Sequence, residues 1–256
     1  MSRPSTATNP VKSTQTSLRI VQIVQELNGA KLAEISARMD KSKSSVHNHL
    51  NTLYEMGYVT NSNDQYEIGL RFLEHGIYAR KQRPLYDVAK PELEILADET
   101  GELVNLLVEE HGKGVYLSRM AGENAVSVDV QTGTQVYLHG TALGKAILAF
   151  LPDSDVDWIL DRHGMPSLTD TTITDREALA EELESVRDRG MAFDDEERLP
   201  GMQCVAVPIL DRDDYPVGSL SVSVPTRRMA SDPLDGQIPD LLKDTANVIQ
   251  LNMTYS

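Results

Sequence analysis

Between residues 16 and 57 the chain carries three short apolar stripes at helical spacing, broken by gaps that leave room only for tight turns. In "TSLRIVQIVQELNG", Leu18, Val21, Val24 and Leu27 recur every third residue, with Ile20 and Ile23 widening the stripe. Thr16 or Ser17 caps the start and Gly29 ends it. "KLAEISARMD" places Leu32, Ile35 and Met39 on one face, and "KSKSSVHNHLNTLYEMG" turns Val46, Leu50, Leu53 and Met56 inward before Gly57. Three amphipathic helices with a tight turn between the second and third make a helix-turn-helix. After Gly57, "YVTNSNDQYEIGL" predicts a strand over residues 58–60, a polar tip over 61–64 and a strand over 66–70, which adds a β wing.

With Val46, Leu50 and Leu53 seating the third helix, Lys41, Ser42, Lys43, Ser44, Ser45, His47, Asn48 and His49 remain near its N-terminal half. In a helix-turn-helix that half enters the major groove of double-stranded DNA. Short hydroxyls bond phosphates, Lys41 and Lys43 neutralise them, and Asn48 suits an adenine edge. These eight residues are the candidate DNA-binding set. His47 and His49 stand two apart on a helix and point away from each other, so they make no metal pair.

The charge is unevenly spread, and it supports that placement. Residues 1–83 hold 11 Lys+Arg against 7 Asp+Glu, whereas residues 84–256 hold 13 against 32, within a net charge of −15. An acidic surface of that density repels phosphates, which confines nucleic-acid contact to the first third. A salty, halophilic cytoplasm would screen such self-repulsion. The single cysteine, Cys204, excludes an internal disulfide and fits a reducing interior. No apolar run approaches the roughly 20 residues of a membrane span, and the polar N-terminus is no signal peptide. The expectation is a cytoplasmic protein with no membrane partner.

The rest of the chain reads as a connecting segment and a second domain. Pro84 and Pro91 punctuate "RFLEHGIYARKQRPLYDVAKPELEILADETG". The expected organisation is a flexible tail over 1–13, a winged helix-turn-helix over 14–75, a linker helix over 76–90 and an effector-binding domain over 91–256. In the last, residues 103–109 and 115–119 predict a hairpin, and Val126, Val128 and Val130 alternate as in a strand. "TALGKAILAFL" and "DREALAEELESVRDRG" predict helices, "CVAVPIL" and "VGSLSVSVP" strands, and the segment from Asp232 a C-terminal helix. The sum is an α+β architecture with a mixed sheet covered by helices.

Enzyme chemistry is thin. There is no phosphate loop after a strand and no nucleophile elbow, so no cofactor and no catalytic set is assigned. His139, His163 and Cys204 lack metal-type spacing. "FDDEE" offers carboxylates for a hard cation, but such a run is more often solvent-facing.

The first third, together with "GTALGKAILA", "RGMAFDDEERLPGMQCVAVPILD" and "VGSLSVSVPTRR", resembles the IclR family of transcriptional regulators from about Val11 to Asn252. The resemblance implies a winged helix-turn-helix, a linker helix and a GAF-like effector domain, acting as a homodimer or tetramer on promoter DNA. The implied effector is a small molecule, usually an organic acid or aromatic. Carried over residue by residue, effector contacts fall on Ala142 and Leu143 at a helix start, and on Asp194, Cys204, Ser221 and Ser223. Ser221 and Ser223, two apart on a strand, share one side. Leu106, Val126 and Val128 are the expected apolar walls. Many members carry Arg and Leu where this chain has Asn48 and His49, so the base sequence read does not carry over.

Two function classes follow. One is a DNA-binding regulator whose second domain senses an organic acid. The alternative is a small-molecule hydrolase or other enzyme with an accessory DNA-binding module, which requires a catalytic constellation around Cys204.

Overall fold

The computed structural model describes residues 9–126, 130–231 and 236–255. The chain gathers into two compact units that divide between Arg80 and Lys81.

In the first unit, α1 (Lys12–Glu26), α2 (Leu32–Ala37) and α3 (Lys43–Glu55) enclose a core of Ile20, Ile23, Val24, Ile35, Val46, Leu50 and Leu53. The stripe of α1 differs from the expected one: Leu18 is 55% exposed, while Thr16, Ile20, Ile23 and Val24 are buried. Three helical residues turn 300°, so a strict spacing of three slips 60° per step and leaves the face; spacings of three and four must alternate. Met56 is exposed for the same reason, outside the stripe of Val46, Leu50 and Leu53. The wing is β2 (Val59–Ser62) and β3 (Gln65–Ile68), joined through Asn63 and Asp64, both at positive φ as a type I′ turn requires. A short β1 (Ala30–Lys31) pairs with β3 on its other side, giving the order β1-β3-β2.

The expected linker span of 76–90 falls across two helices. α4 (Arg71–Lys81) and α5 (Pro84–Thr100) are separate, with Pro84 at the first turn of α5. Proline has no N–H to continue a preceding helix but is pre-set to begin one. Pro91 lies inside α5 without ending it. Leu85 and Ala89, within the expected linker, are core residues of the second unit.

That unit is built on β4 (Leu103–Glu110), β5 (Lys113–Ala121), β6 (Gln135–Val136), β7 (Ala192–Asp195), β8 (Met202–Leu210) and β9 (Pro216–Pro225), ordered β6-β5-β4-β9-β8-β7. Every pairing among these strands is antiparallel, so the sheet is not mixed. Four of its five pairs join successive strands, and only β4 with β9 does not. The long excursion from β6 to β7 carries α6 (Ala142–Leu148), α7 (Asp153–His163) and α8 (Arg176–Arg189) to the opposite edge, where no parallel neighbour waits. Val126 and Val130 lie in no strand, and Val128 falls outside the described residues.

Strand alternation gives the sheet two different faces. Val104, Leu106, Val108, Val205, Val207, Ile209, Leu220, Val222 and Val224 pack with α5 and with α9 (Gln237–Tyr255). The opposite face meets α6, α7 and α8 through Leu107, Tyr116, Val136, Ala192 and Ala206. α6 lies close against the loop before it: a Cβ on Gly144 would fall 2.0 Å from the Leu138 carbonyl oxygen, so only glycine fits there.

Candidate functional site

α3 begins at Ser42, whose Oγ accepts the Ser45 N–H at 3.3 Å and lies 3.1 Å from Ser44 Oγ. This cap satisfies one of the unpaired amides at the helix start. Lys41, Ser42, Lys43, Ser44, His47 and Asn48 are exposed, and Asn51 and Thr52 extend the same polar face one turn further. Ser45 is half-buried. His49 is half-buried as well, with Nδ1 2.8 Å from Ser17 Oγ on α1. It belongs to the seam between α1 and α3, because it lies next to buried Leu50 rather than on the outer arc. Behind the wing, Tyr58 OH meets His75 Nε2 at 2.9 Å and Arg71 covers the Tyr58 ring, which fixes α4 to this unit.

On the α6 side of its sheet the second unit has a pocket open to solvent, with about 460 Å3 of space inside it and at its mouth taken together. Its floor is two neighbouring rungs of cross-strand partners. One rung runs Asp194, Cys204, Ser223, Leu103 across β7, β8, β9 and β4. The next runs Ala206, Ser221, Asn105, Arg119 across β8, β9, β4 and β5. Side chains on adjacent rungs two residues apart point to one face, so residues distant in sequence meet here. Thr141, Ala142 and Leu143 at the start of α6, with Tyr116, Arg198, Leu199 and Met202, complete the walls.

The polar groups form one network. Asn105 Nδ2 donates to Ser221 Oγ at 3.3 Å and to Ser223 Oγ at 3.1 Å, while its Oδ1 accepts from Arg119 Nε at 2.9 Å. Cys204 Sγ donates to Ser223 Oγ at 3.1 Å. Arg198 Nη1 donates to the Tyr116 hydroxyl at 3.0 Å, and Thr141 Oγ1 accepts the Gly144 N–H at 2.9 Å. Asp194 Oδ1 accepts the Glu197 N–H at 2.7 Å, yet burial and the nearby Glu197 charge push its carboxyl up to about 6. Burial, with the Asp194 charge behind it, pushes the Cys204 thiol up to about 12.

Two family models match the chain: "Bacterial transcriptional regulator IclR C-terminal" over residues 77–251 and "IclR helix-turn-helix domain" over residues 13–62. The chain belongs to the IclR family. It is 30% identical, over 95% of its length and 94% of the relative's, to a probable HTH-type transcriptional regulator, ArcR, of Halobacterium salinarum. The IclR crystal structure from Thermotoga maritima superposes with a TM-score of 0.76 at 30% identity, covering 94% of this chain and 98% of that one. The fold is shared with an IclR homologue of Microbacterium hydrocarbonoxydans complexed with 4-hydroxybenzoate, with a TM-score of 0.81 at 20% identity, covering 95% of this chain and 100% of that one. This IclR chain is a transcriptional regulator with an N-terminal helix-turn-helix and a C-terminal effector domain of α+β fold.

The structure brings Ala142, Leu143, Asp194, Cys204, Ser221 and Ser223 to the one cavity. Leu106 does not join them; it faces the α5 and α9 layer, and its neighbour Asn105 faces the cavity instead. Sequence reasoning missed Asn105, Tyr116, Arg119 and Arg198. The available signal was Asn105 itself, a lone polar residue inside the apolar run "LVNLLV". The "FDDEE" run is not uniformly solvent-facing. Asp194 and Glu197 are buried, while Asp195 bonds Gln203 and Glu196 bonds the Gly201 N–H. Among the described residues no group of three or more His, Cys, Asp or Glu is gathered for a metal, and no helix is long and apolar enough to cross a membrane.

Proposed function

We propose that the exposed arc of α3 reads operator DNA, and that the cavity holds a small organic acid whose binding changes operator affinity. The observation that supports this is the pair of rungs that sets Ser221, Ser223, Asn105 and Asp194 around one pocket beside the start of α6. Neutral donors and unpaired helix-start amides suit a carboxylate. The Microbacterium homologue's 4-hydroxybenzoate is itself an aromatic carboxylate. On DNA, Lys41, Lys43, Ser42 and Ser44 are phosphate contacts and Asn48 with His47 base contacts. Such an acid acts only through different affinities for the DNA-competent and incompetent states.

A homodimer is the expected assembly, because a two-fold operator needs a two-fold protein. Leu73, Ile77 and Tyr78 on α4, with Leu70 just before it, form an exposed apolar stripe, which supports it. An enzyme reading is not favoured. Cys204 holds its proton far above neutral pH, and His139 faces the Pro166 carbonyl rather than the thiol.

The test is an anisotropy titration with the DNA upstream of the protein's own gene, with and without a panel of organic acids. Specific binding that weakens with salt, and shifts with one acid, is expected. Lys43→Ala lowers affinity for all sequences, whereas Asn48→Ala relaxes one base position. Equal affinity for random DNA, unchanged in both variants, refutes the reading.

A further inference from the structure

The cavity has a cationic wall that a simple monoacid leaves unused. The guanidinium carbons of Arg119 and Arg198 each lie 5.4 Å from the Tyr116 ring centroid, on a wall shared by both. Arg119 spends only Nε, on Asn105; Arg198 spends Nη1, on the Tyr116 hydroxyl. Neither guanidinium is in ion-pair contact with a carboxylate among the described residues, although residues 84–256 carry 32 Asp+Glu. Lys145 pairs with Glu197 and Glu182, Arg189 with Glu182, Arg83 with Glu110 and Arg228 with Glu102, whereas half-buried Lys113 lies over the Tyr137 ring. Burial first, and then the charge of Arg198, pull the Arg119 guanidinium below the ordinary arginine value. Two neighbouring, half-buried cations without an anion are unfavourable unless a ligand provides one.

We infer that the ligand of this cavity is a small acid with two anionic groups, one set against the Ser221 and Ser223 hydroxyls and the other against Arg119 and Arg198. The inference rests on the proposal that this cavity is the effector site. β5 and β9 flank β4, so Arg119 and Ser221 stand about 10 Å apart at the backbone. Their side chains converge from there on a span of a few carbon atoms. A guanidinium fork takes either a carboxylate or a phosphate as the second group.

The experiment is thermal shift and calorimetric titration of the full chain at constant ionic strength. Its ligands are matched pairs: propanoate and malonate, butanoate and succinate, benzoate and isophthalate, glycolate and phosphoglycolate. In at least one pair the dianion is expected to bind about tenfold more tightly than its monoanion. The dicarboxylate and phosphate arms tell which second group is preferred. Arg198→Met, which loses one bond to Tyr116, is expected to erase that tenfold advantage and to change the monoanion response far less. Arg119→Met is the second variant, and unliganded melting curves report whether each is folded. Arg176→Ala, on the surface of α8, keeps the preference. Monoanions that bind as well as dianions, or a dianion preference that survives in a folded Arg198→Met variant, overturn the inference while acid binding stands. If no acid in the panel binds the wild type, both the inference and the effector reading fall.

Discussion

Lys145 Nζ lies 2.5 Å from Glu197 Oε1, and the lysine side chain is only 2% exposed. The same nitrogen is 3.3 Å from Glu182 on α8, which also holds Arg189 at 2.8 Å. Glu197 follows Asp194 by three residues and gives it a backbone hydrogen bond. A lysine of α6 therefore fixes the turn that shapes the cavity's own carboxyl.

Replacing that lysine by methionine leaves Glu197 buried without its cation. Removing one partner of a buried pair costs about 3–5 kcal/mol. Lys145→Met is expected to lower the stability of the effector unit by that order in chemical denaturation. Lys145→Met with Glu197→Gln recovers part of it, since the orphaned charge is gone.

Asp194 makes stability depend on pH in a defined window. Its carboxyl is raised from 3.8 to about 6 in the fold, first by burial and then by Glu197. A raised folded value means the favourable contribution is full below 3.8 and is lost as pH rises through about 6. The groups acting on it are Glu197, which opposes ionisation, and Lys145 with the Glu197 and Arg198 amides, which favour it. Asp194→Asn is expected to match the wild type below pH 4 and to exceed it above pH 6 by up to about 3 kcal/mol, read from urea unfolding across pH.

Ser42→Ala removes the cap of α3. A loss of about 1 kcal/mol from the first unit is expected in thermal unfolding. Operator affinity is expected to fall as well, since Ser42 is among the proposed phosphate contacts.

The acidic second unit is expected to gain stability with salt. Screening shortens the reach of repulsion from roughly 10 Å at 0.1 M to 3 Å at 1 M. The melting temperature in multimolar KCl therefore exceeds that in dilute buffer, and an unchanged value argues against self-repulsion as the meaning of the charge.

Acidic residues placed on the apolar stripe of α4 test the proposed dimer. Leu73→Glu with Ile77→Glu is expected to convert dimers into monomers by light scattering, with little change in helix content, because α4 has no buried residue within its own unit.

Much of the first unit was legible because a helix seated on a small core must declare its stripe. Val46, Leu50 and Leu53 did so plainly; α1 was misread at Leu18 because spacing three alone drifts off a face. In the second unit the strands of "CVAVPIL" and "VGSLSVSVP" were evident, but alternation carries no direction, so an all-antiparallel sheet was not. α7 was missed because only Ile159 and Leu160 of its 11 residues are buried, too few to mark a period. Asn105 and Leu106 show the sharpest limit: which of two neighbours faces the cavity depends on register with β9, more than 100 residues away. Nothing in the local sequence marks Arg119 and Arg198 as neighbours; the fold brings both to the Tyr116 ring.

β9 alternates Ser219, Ser221 and Ser223 with Leu220, Val222 and Val224. The hydroxyls that face the pocket and the aliphatic side chains that hold the α5 and α9 layer thus occupy opposite sides of a single ribbon. A substitution at Ser221 or Ser223 can therefore reshape the pocket while Leu220, Val222 and Val224 keep their core contacts.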